Sequence, residues 1–340
     1  MGRSGGSAAH WQDHAALGSW PTAGQPRRCV ADGAQHWAPV SLPRLLRALD
    51  LRPAGPQRFE MSAAEPQWPA LPAAQLAAAA VVAAERCFPG CSVSHLACAF
   101  GQPPRARVPL TIAMREVRAD PQCVTARLEF AQGRAGHGEA AVILQADTAE
   151  ARVARPAPAG HASPSPDVAA AVTGLHPALA WLAPWELRLA PVPVGRDASR
   201  GSDNCIWSRL SGHGSGDPAG AWGPDGSRAG LGGMAGRALL AYLSEVLPLA
   251  AAAAPSAGRG QGCRSSNVLS HAITYSASFN LQDWLLATVD CHGAEDEYVH
   301  TRATFHTPQG AVAAVVSQAA VVRDYYSATR GRARGRQGIA

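Results

Sequence analysis

The segment from Ala73 to Ala84 sets the strongest limit on this fold: its side chains are Ala, Val and Leu, with Gln75 as the one polar interruption. Alanine is the best helix former, and a helix apolar on every side has to be buried on every side. Small side chains also let the surrounding backbone come close. The sequence therefore predicts an Ala-rich helix enclosed by a curved sheet.

Strand candidates follow this helix. Val108 to Val117 is extended in character, with Pro109 near its start. Val124, Ala126, Leu128 and Phe130 alternate with Thr125, Arg127 and Glu129, the period of two of a half-buried strand. Ala140 to Ala146 is a further candidate, with a turn supplied by Gly133 to Gly138.

The second half repeats the order. A short strand at Ile206 to Leu210 precedes a loop, Ser211 to Gly233, dense in Gly, Ser and Asp. A helix over Met234 to Leu247 carries Ala238, Leu239, Tyr242, Leu243 and Val246. Strands are expected at Val268 to Tyr275, Trp284 to Asp290, Tyr298 to Phe305 and Ala311 to Val322, the last two joined by a turn at His306 to Gly310. A buried helix followed by a meander, twice over, indicates a duplicated α+β unit.

The expected organisation is a disordered extension over 1–40, one domain over 41–150, an Ala/Pro-rich linker over 151–200, a second domain over 201–325 and a basic tail over 326–340. Within the first domain, Leu42, Leu45, Leu46 and Leu49 have helical spacing after Ser41, with Pro43 in the first turn.

Composition narrows the function classes. Of the 340 residues 47% are hydrophobic and 16% charged, so a packed core is expected. All 30 basic residues are Arg, which points to a GC-rich coding sequence behind the net charge of +5. The tail Arg330 to Arg336 has no interleaved aromatics, so no nucleic-acid partner is expected. Cys87, Cys91 and Cys98 have no distal partner pair, and His292, His300 and His306 lack ligand spacing, so neither a metal nor another cofactor is implied. The stretch from Ala238 to Ala254 is interrupted by Ser244, Glu245 and Pro248, so no membrane span is expected. With no secretory segment evident and scattered cysteines, an intracellular, reducing location is expected, whether cytosol, peroxisome or another organelle matrix. Gly2 to Gly6 formally matches a nucleophile elbow but follows no strand, and Gly230 to Ala235 resembles a dinucleotide fingerprint but follows a loop.

The closing half carries a resemblance. Ser270-His271-Ala272-Ile273-Thr274-Tyr275-Ser276-Ala277-Ser278-Phe279, then Trp284-Leu285-Leu286, then Ala311 to Gln318 and Val321-Val322-Arg323, is similar to the end of the acyl-CoA thioesterase II (TesB-like) family. Ala241-Tyr242-Leu243-Ser244-Glu245 resembles that family's second central helix, and Ile206-Trp207-Ser208-Arg209 one of its strands. The first half matches at Leu45 to Leu51, at Phe59 and at Ala73-Ala74-Gln75, so the likeness runs from Ser41 to Arg323. It implies two tandem hotdog domains, each an antiparallel sheet wrapped around a central helix. It also implies an acyl-CoA substrate, hydrolysis to free fatty acid and coenzyme A, and a homo-oligomer as an open expectation.

In that family an acid on the second helix, a hydroxyl on the next strand and a Gln on the last strand hold the attacking water, and a helix N-terminus supplies N–H groups near the carbonyl. The matching positions are Glu245, Val268 and Gln318. Valine cannot bond a water. Ser266, two residues earlier, or Ser270, two later, would share its face in a regular strand and so replace the hydroxyl. The expected catalytic set is therefore Glu245, Gln318 and Ser266. Glu245 is longer by a methylene than the family's Asp, the family's Asp before His271 is Ser270, and its "WFHRPF" run is missing. These departures keep a second class in play, a double hotdog that binds acyl chains or serves as a scaffold without hydrolysis. A hotdog dehydratase or hydratase is a third, although its His/Asp pattern is not evident.

Overall fold

The computed structural model describes residues 39–66, 68–120, 122–147, 165–171, 181–190, 204–211, 233–253, 264–292 and 298–324. All of them belong to one unit of the chain, Trp37–Ala340. The expected extension, apart from 39–40, and the basic tail lie outside the described residues.

Helix α1 (Leu42–Leu49) buries Leu45, Leu46 and Leu49. Strands β1 (Arg52–Gly55) and β2 (Arg58–Met61) follow, then the alanine-rich helix α2 (Ala73–Cys87). Every residue of α2 from Ala74 to Glu85 is buried, as its all-round apolar surface requires. Next come β3 (Cys91–Phe100), β4 (Leu110–Ala119), β5 (Cys123–Gln132) and β6 (Ala135–Ala146). The second half contributes β7 (Ala170–Ala171), β8 (Trp185–Leu189) and β9 (Asn204–Leu210), then helix α3 (Gly233–Ala253). It closes with β10 (Arg264–Tyr275), β11 (Leu285–His292), β12 (Tyr298–His306) and β13 (Val312–Asp324).

The strands form one antiparallel sheet in the order β1-β2-β4-β5-β6-β3-β10-β13-β12-β11-β9-β8-β7. Its centre is the β3–β10 pair, where Leu96 faces Ile273 and Cys98 faces His271. On one side the order is β3-β6-β5-β4-β2, and on the other β10-β13-β12-β11-β9, so the second half reproduces the first. Each half wraps its own helix, which makes the architecture two tandem hotdog domains of α+β class. Helices α2 and α3 pack on one another, and Ala77, Ala80, Ala238 and Ala241 on them have no exposed surface. One continuous apolar core therefore serves both halves.

Two expectations need correction. Strand β3 lies outside the strand candidates read from the sequence, although it forms the central seam with β10. Its sequence, Cys91 to Phe100, carries Ser92, Ser94 and His95 and gives no clean alternation, because a bulge between Val93 and His95 breaks the period. The 151–200 segment is not wholly a linker: β7 and β8 pair with each other, and β8 pairs with β9. Trp185 and Leu187 are buried there, and burying large apolar side chains outweighs the loop character of the surrounding Ala and Pro. Helix α3 also continues past Leu247 through Pro248. Proline has no N–H for the carbonyl of Ser244, one turn back, so the ladder is broken beside Glu245.

Candidate functional site

Two buried glutamines show how to separate a structural amide from a functional one. Gln75 on α2 is fully satisfied: its Oε1 accepts from Ala64 N at 3.2 Å and its Nε2 donates to Ser62 O at 2.7 Å, pinning the loop before the helix. Gln318 on β13 is only half satisfied. Its Nε2 donates to the backbone carbonyl of Glu245 at 3.0 Å, while its Oε1 has no hydrogen-bond partner among the described residues. A buried polar atom left bare costs about 1–3 kcal/mol, so a natural chain keeps one where it has work to do.

Gln318 is the middle of a polar row. Opposite it on β10 stands His271, and opposite it on β12 stands Thr301. Directly paired residues share a face with Cβ atoms about 4.5–5.5 Å apart, so three polar side chains lie side by side across three strands. All three are about 1% exposed. Helix α3 lies over this row and brings Glu245, 3% exposed, down beside Gln318. Besides Gln318 Oε1, the atoms Glu245 Oε2, His271 Nδ1, Thr301 Oγ1 and Tyr242 Oη have no hydrogen-bond partner among the described residues. Tyr242 stacks on Trp185 of β8 at 5.5 Å, so the supposed linker contributes a wall of this site.

Burial sets the electrostatics. Desolvation by burial pushes the Glu245 carboxyl up to about 8. Desolvation pulls His271 down to about 4, against a weaker pull the other way from the Gln318 side chain, which lies near the ring without reaching hydrogen-bond geometry. Burial, reinforced by Glu245, also drives the Tyr242 hydroxyl and Cys98 thiol well above their ordinary values, so Cys98 is no nucleophile. The Ser244 hydroxyl donates to Ala241 O at 3.1 Å and lies 3.3 Å from His271 Nε2. With that hydroxyl proton committed, the neutral ring donates through Nε2 and keeps Nδ1 as a free acceptor. At neutral pH the row thus holds a carboxyl that keeps its proton and an imidazole that is neutral, with one ring N–H.

The structure brings Glu245 and Gln318 together and leaves Ser266 apart. Ser266 pairs with Val322, four positions along β13 from Gln318 and therefore about 13 Å away. Ser270 is exposed. The reason is a bulge between Val268 and Ser270, which inserts one residue and reverses the inside–outside parity expected of a regular strand. The same bulge turns His271 inward. The sequence pattern assigns no chemical role to His271 or to Thr301. A polar residue in the buried phase of the alternating run Val299, Thr301, Ala303, Phe305 was the available signal for Thr301.

The duplication allows an internal control. An equivalent bulge lies between Val93 and His95, which aligns Leu96 with His271, Val142 with Gln318 and Ala126 with Thr301. The first half thus carries Leu, Val and Ala where the second carries His, Gln and Thr. The fold is doubled and the polar site is single.

A surface cleft lies two turns along α3, lined by Ser92, Ser94, Asp147, Arg237, Tyr275 and Phe279 among others. Arg237 is locked there in a bidentate pair with Glu85 of α2, Nε to Oε1 at 2.6 Å and Nη2 to Oε2 at 2.7 Å, and Tyr275 Oη donates to its carbonyl at 2.7 Å. The cleft is not the polar row, but Arg237 and Glu245 share a helix about 12 Å apart. Among the described residues no cluster of His, Cys, Asp and Glu could hold a metal ion, and no helix is long and apolar enough to cross a membrane.

Fold and site together define a double hotdog with one buried acid–amide–imidazole–hydroxyl cluster. Solved structures of the same architecture bear this out at the level of fold. The chain is similar to the tesB protein of Mycobacterium avium subs paratuberculosis, at 20% identity and a TM-score of 0.62 over 83% of this chain and 100% of that one. It is similar to an acyl-CoA thioesterase II from Mycobacterium marinum, at 19% identity and a TM-score of 0.64 over 83% of this chain and 99% of that one. A conserved protein of unknown function with a hot dog fold from Alicyclobacillus acidocaldarius aligns at 16% identity and a TM-score of 0.58 over 82% and 97% of the two chains. No protein-family model and no curated protein sequence matches the chain.

Proposed function

We propose that the protein is a thioester hydrolase acting on fatty acyl-CoA, with water as the direct nucleophile. The observation that carries this reading is the meeting of Glu245 and Gln318 in a buried polar row, each with an oxygen that has no hydrogen-bond partner among the described residues. The names of the similar M. avium and M. marinum proteins agree with it.

In this reading the Glu245 carboxylate takes a proton from water as the water oxygen attacks the thioester carbon, and Gln318 Oε1 accepts the water's second hydrogen. The carbon–sulfur bond then breaks. The proton on Glu245 passes to the departing thiolate, giving a carboxylic acid and free coenzyme A. A carboxyl near 8 is a competent base once ionised, since proton transfer is most efficient when the catalytic pKa lies near the working pH.

Val268 favours the second reading, an acyl-binding or scaffold protein, because it places an apolar side chain where the resembling family has a water-holding hydroxyl. A panel of acyl-CoA thioesters, with free thiol measured for the wild type and Gln318→Ala, tests the two. Thiol release that the variant loses supports hydrolysis. Acyl-CoA binding with no release from the wild type supports the scaffold.

A further inference from the structure

We infer that Thr301 is the residue that supplies the missing hydroxyl, holding the attacking water from β12 instead of from β10. The inference rests on the hydrolytic reading above and names a catalytic group that neither the motif comparison nor the sequence pattern assigned.

The argument is one of position and of unmet hydrogen bonding. A water activated by Glu245 and oriented by Gln318 has a further direction to be fixed, and an unfixed water loses the orientation on which rate depends. The position that would serve on β10, Val268, carries no polar side-chain atom, and Ser270 points to solvent. Thr301 stands on the opposite flank of Gln318, directly paired with it, on the same buried face. Its Oγ1 is buried and has no hydrogen-bond partner among the described residues. A hydroxyl in that situation usually bonds a nearby backbone carbonyl; Thr288 on β11 does so with Thr304 O at 3.4 Å. Thr301 is thus held ready for an outside acceptor or donor, as Gln318 Oε1 and Glu245 Oε2 are. The equivalent position in the first half is Ala126, so the hydroxyl belongs to the half that carries the acid and the amide.

The hydroxyl has thereby moved two strands across the sheet, from one neighbour of Gln318 to the other.

The test removes and then relocates the hydroxyl. Thr301→Val keeps the shape and deletes the oxygen; kcat on an acyl-CoA substrate should fall about 100-fold with little change in KM. Thr301→Ser should keep most of the activity. Adding Val268→Thr to Thr301→Val should recover at least part of it, because the hydroxyl returns on the other side of Gln318. A second readout does not need turnover. If Oγ1 bonds nothing, replacing it with a methyl group relieves a buried bare oxygen and raises Tm; if it holds a water, Tm stays level or falls. An active wild type with an equally active Thr301→Val, or a Thr301→Val that is more thermostable, overturns the assignment while leaving hydrolysis standing. A wild type inert on every thioester overturns both.

Discussion

Gln318 Nε2 donates to the main-chain carbonyl of Glu245 at 3.0 Å, not to its carboxylate. The amide therefore fixes the helix backbone at the point where Pro248 has weakened the ladder, and leaves both its own Oε1 and the acid's Oε2 for chemistry. Position and reactivity are carried by different ends of the same side chain.

Gln318→Met should separate these two duties. It fills the space without a donor, so the lost hydrogen bond costs about 1 kcal/mol, whereas Gln318→Ala adds a void and costs about 2 kcal/mol or more. Both should remove hydrolytic turnover. Chemical denaturation alongside a thiol-release assay checks the pair.

Activity and stability should move in opposite directions with pH. Glu245 acts as a base only when ionised, so kcat should rise with pH and level off above about 8. For stability, the native carboxyl holds a proton between its unfolded value of 4.5 and about 8 that the unfolded chain has released, so its contribution is lost as pH rises through that window. His271 works the other way: the unfolded ring takes up a proton below 6.5 that the native ring refuses until about 4, so stability is lost as pH falls through that range. The two slopes oppose each other between 4.5 and 6.5, and between 6.5 and 8 only Glu245 of the two contributes a slope. Melting temperature should fall across that upper range in the wild type and stay level in Glu245→Gln.

The Glu85–Arg237 pair ties the two central helices together and should be intolerant of single changes. Glu85 also accepts from Val93 N at 3.0 Å, so Glu85→Ala strands a mostly buried guanidinium and a backbone N–H at once. A loss of about 3 kcal/mol is expected. Glu85→Leu with Arg237→Met should cost less than either change alone, which a double-mutant cycle in denaturant would read.

Gly138 should resist replacement for a backbone reason. Its φ is +143°, and a Cβ there would lie 2.4 Å from the carbonyl oxygen of Ala99 on β3. Gly138→Ala should lower stability by roughly 1–3 kcal/mol, read as a lower denaturation midpoint at unchanged slope.

What the residue order fixed by itself was local or periodic. Twelve turnless residues, all Ala, Val or Leu except Gln75, can only be a sheathed helix, and the alternation through Val124 to Phe130 can only be a half-buried strand. The family-like segments around Ala241 and Gln318 likewise singled out an acid and an amide, because those segments are contiguous. Tertiary structure decided the rest. Whether Ser270 or His271 faces the core depends on a single inserted residue at the bulge after Val268, and a shift of one position turns every later side chain to the other face. That Thr301 flanks Gln318 is a fact of register between strands joined across the sheet, and that Trp185 walls the site depends on a stretch of Ala and Pro finding an edge to pair with. Strand pairing is set by contacts distant in the chain, so no window of sequence contains it.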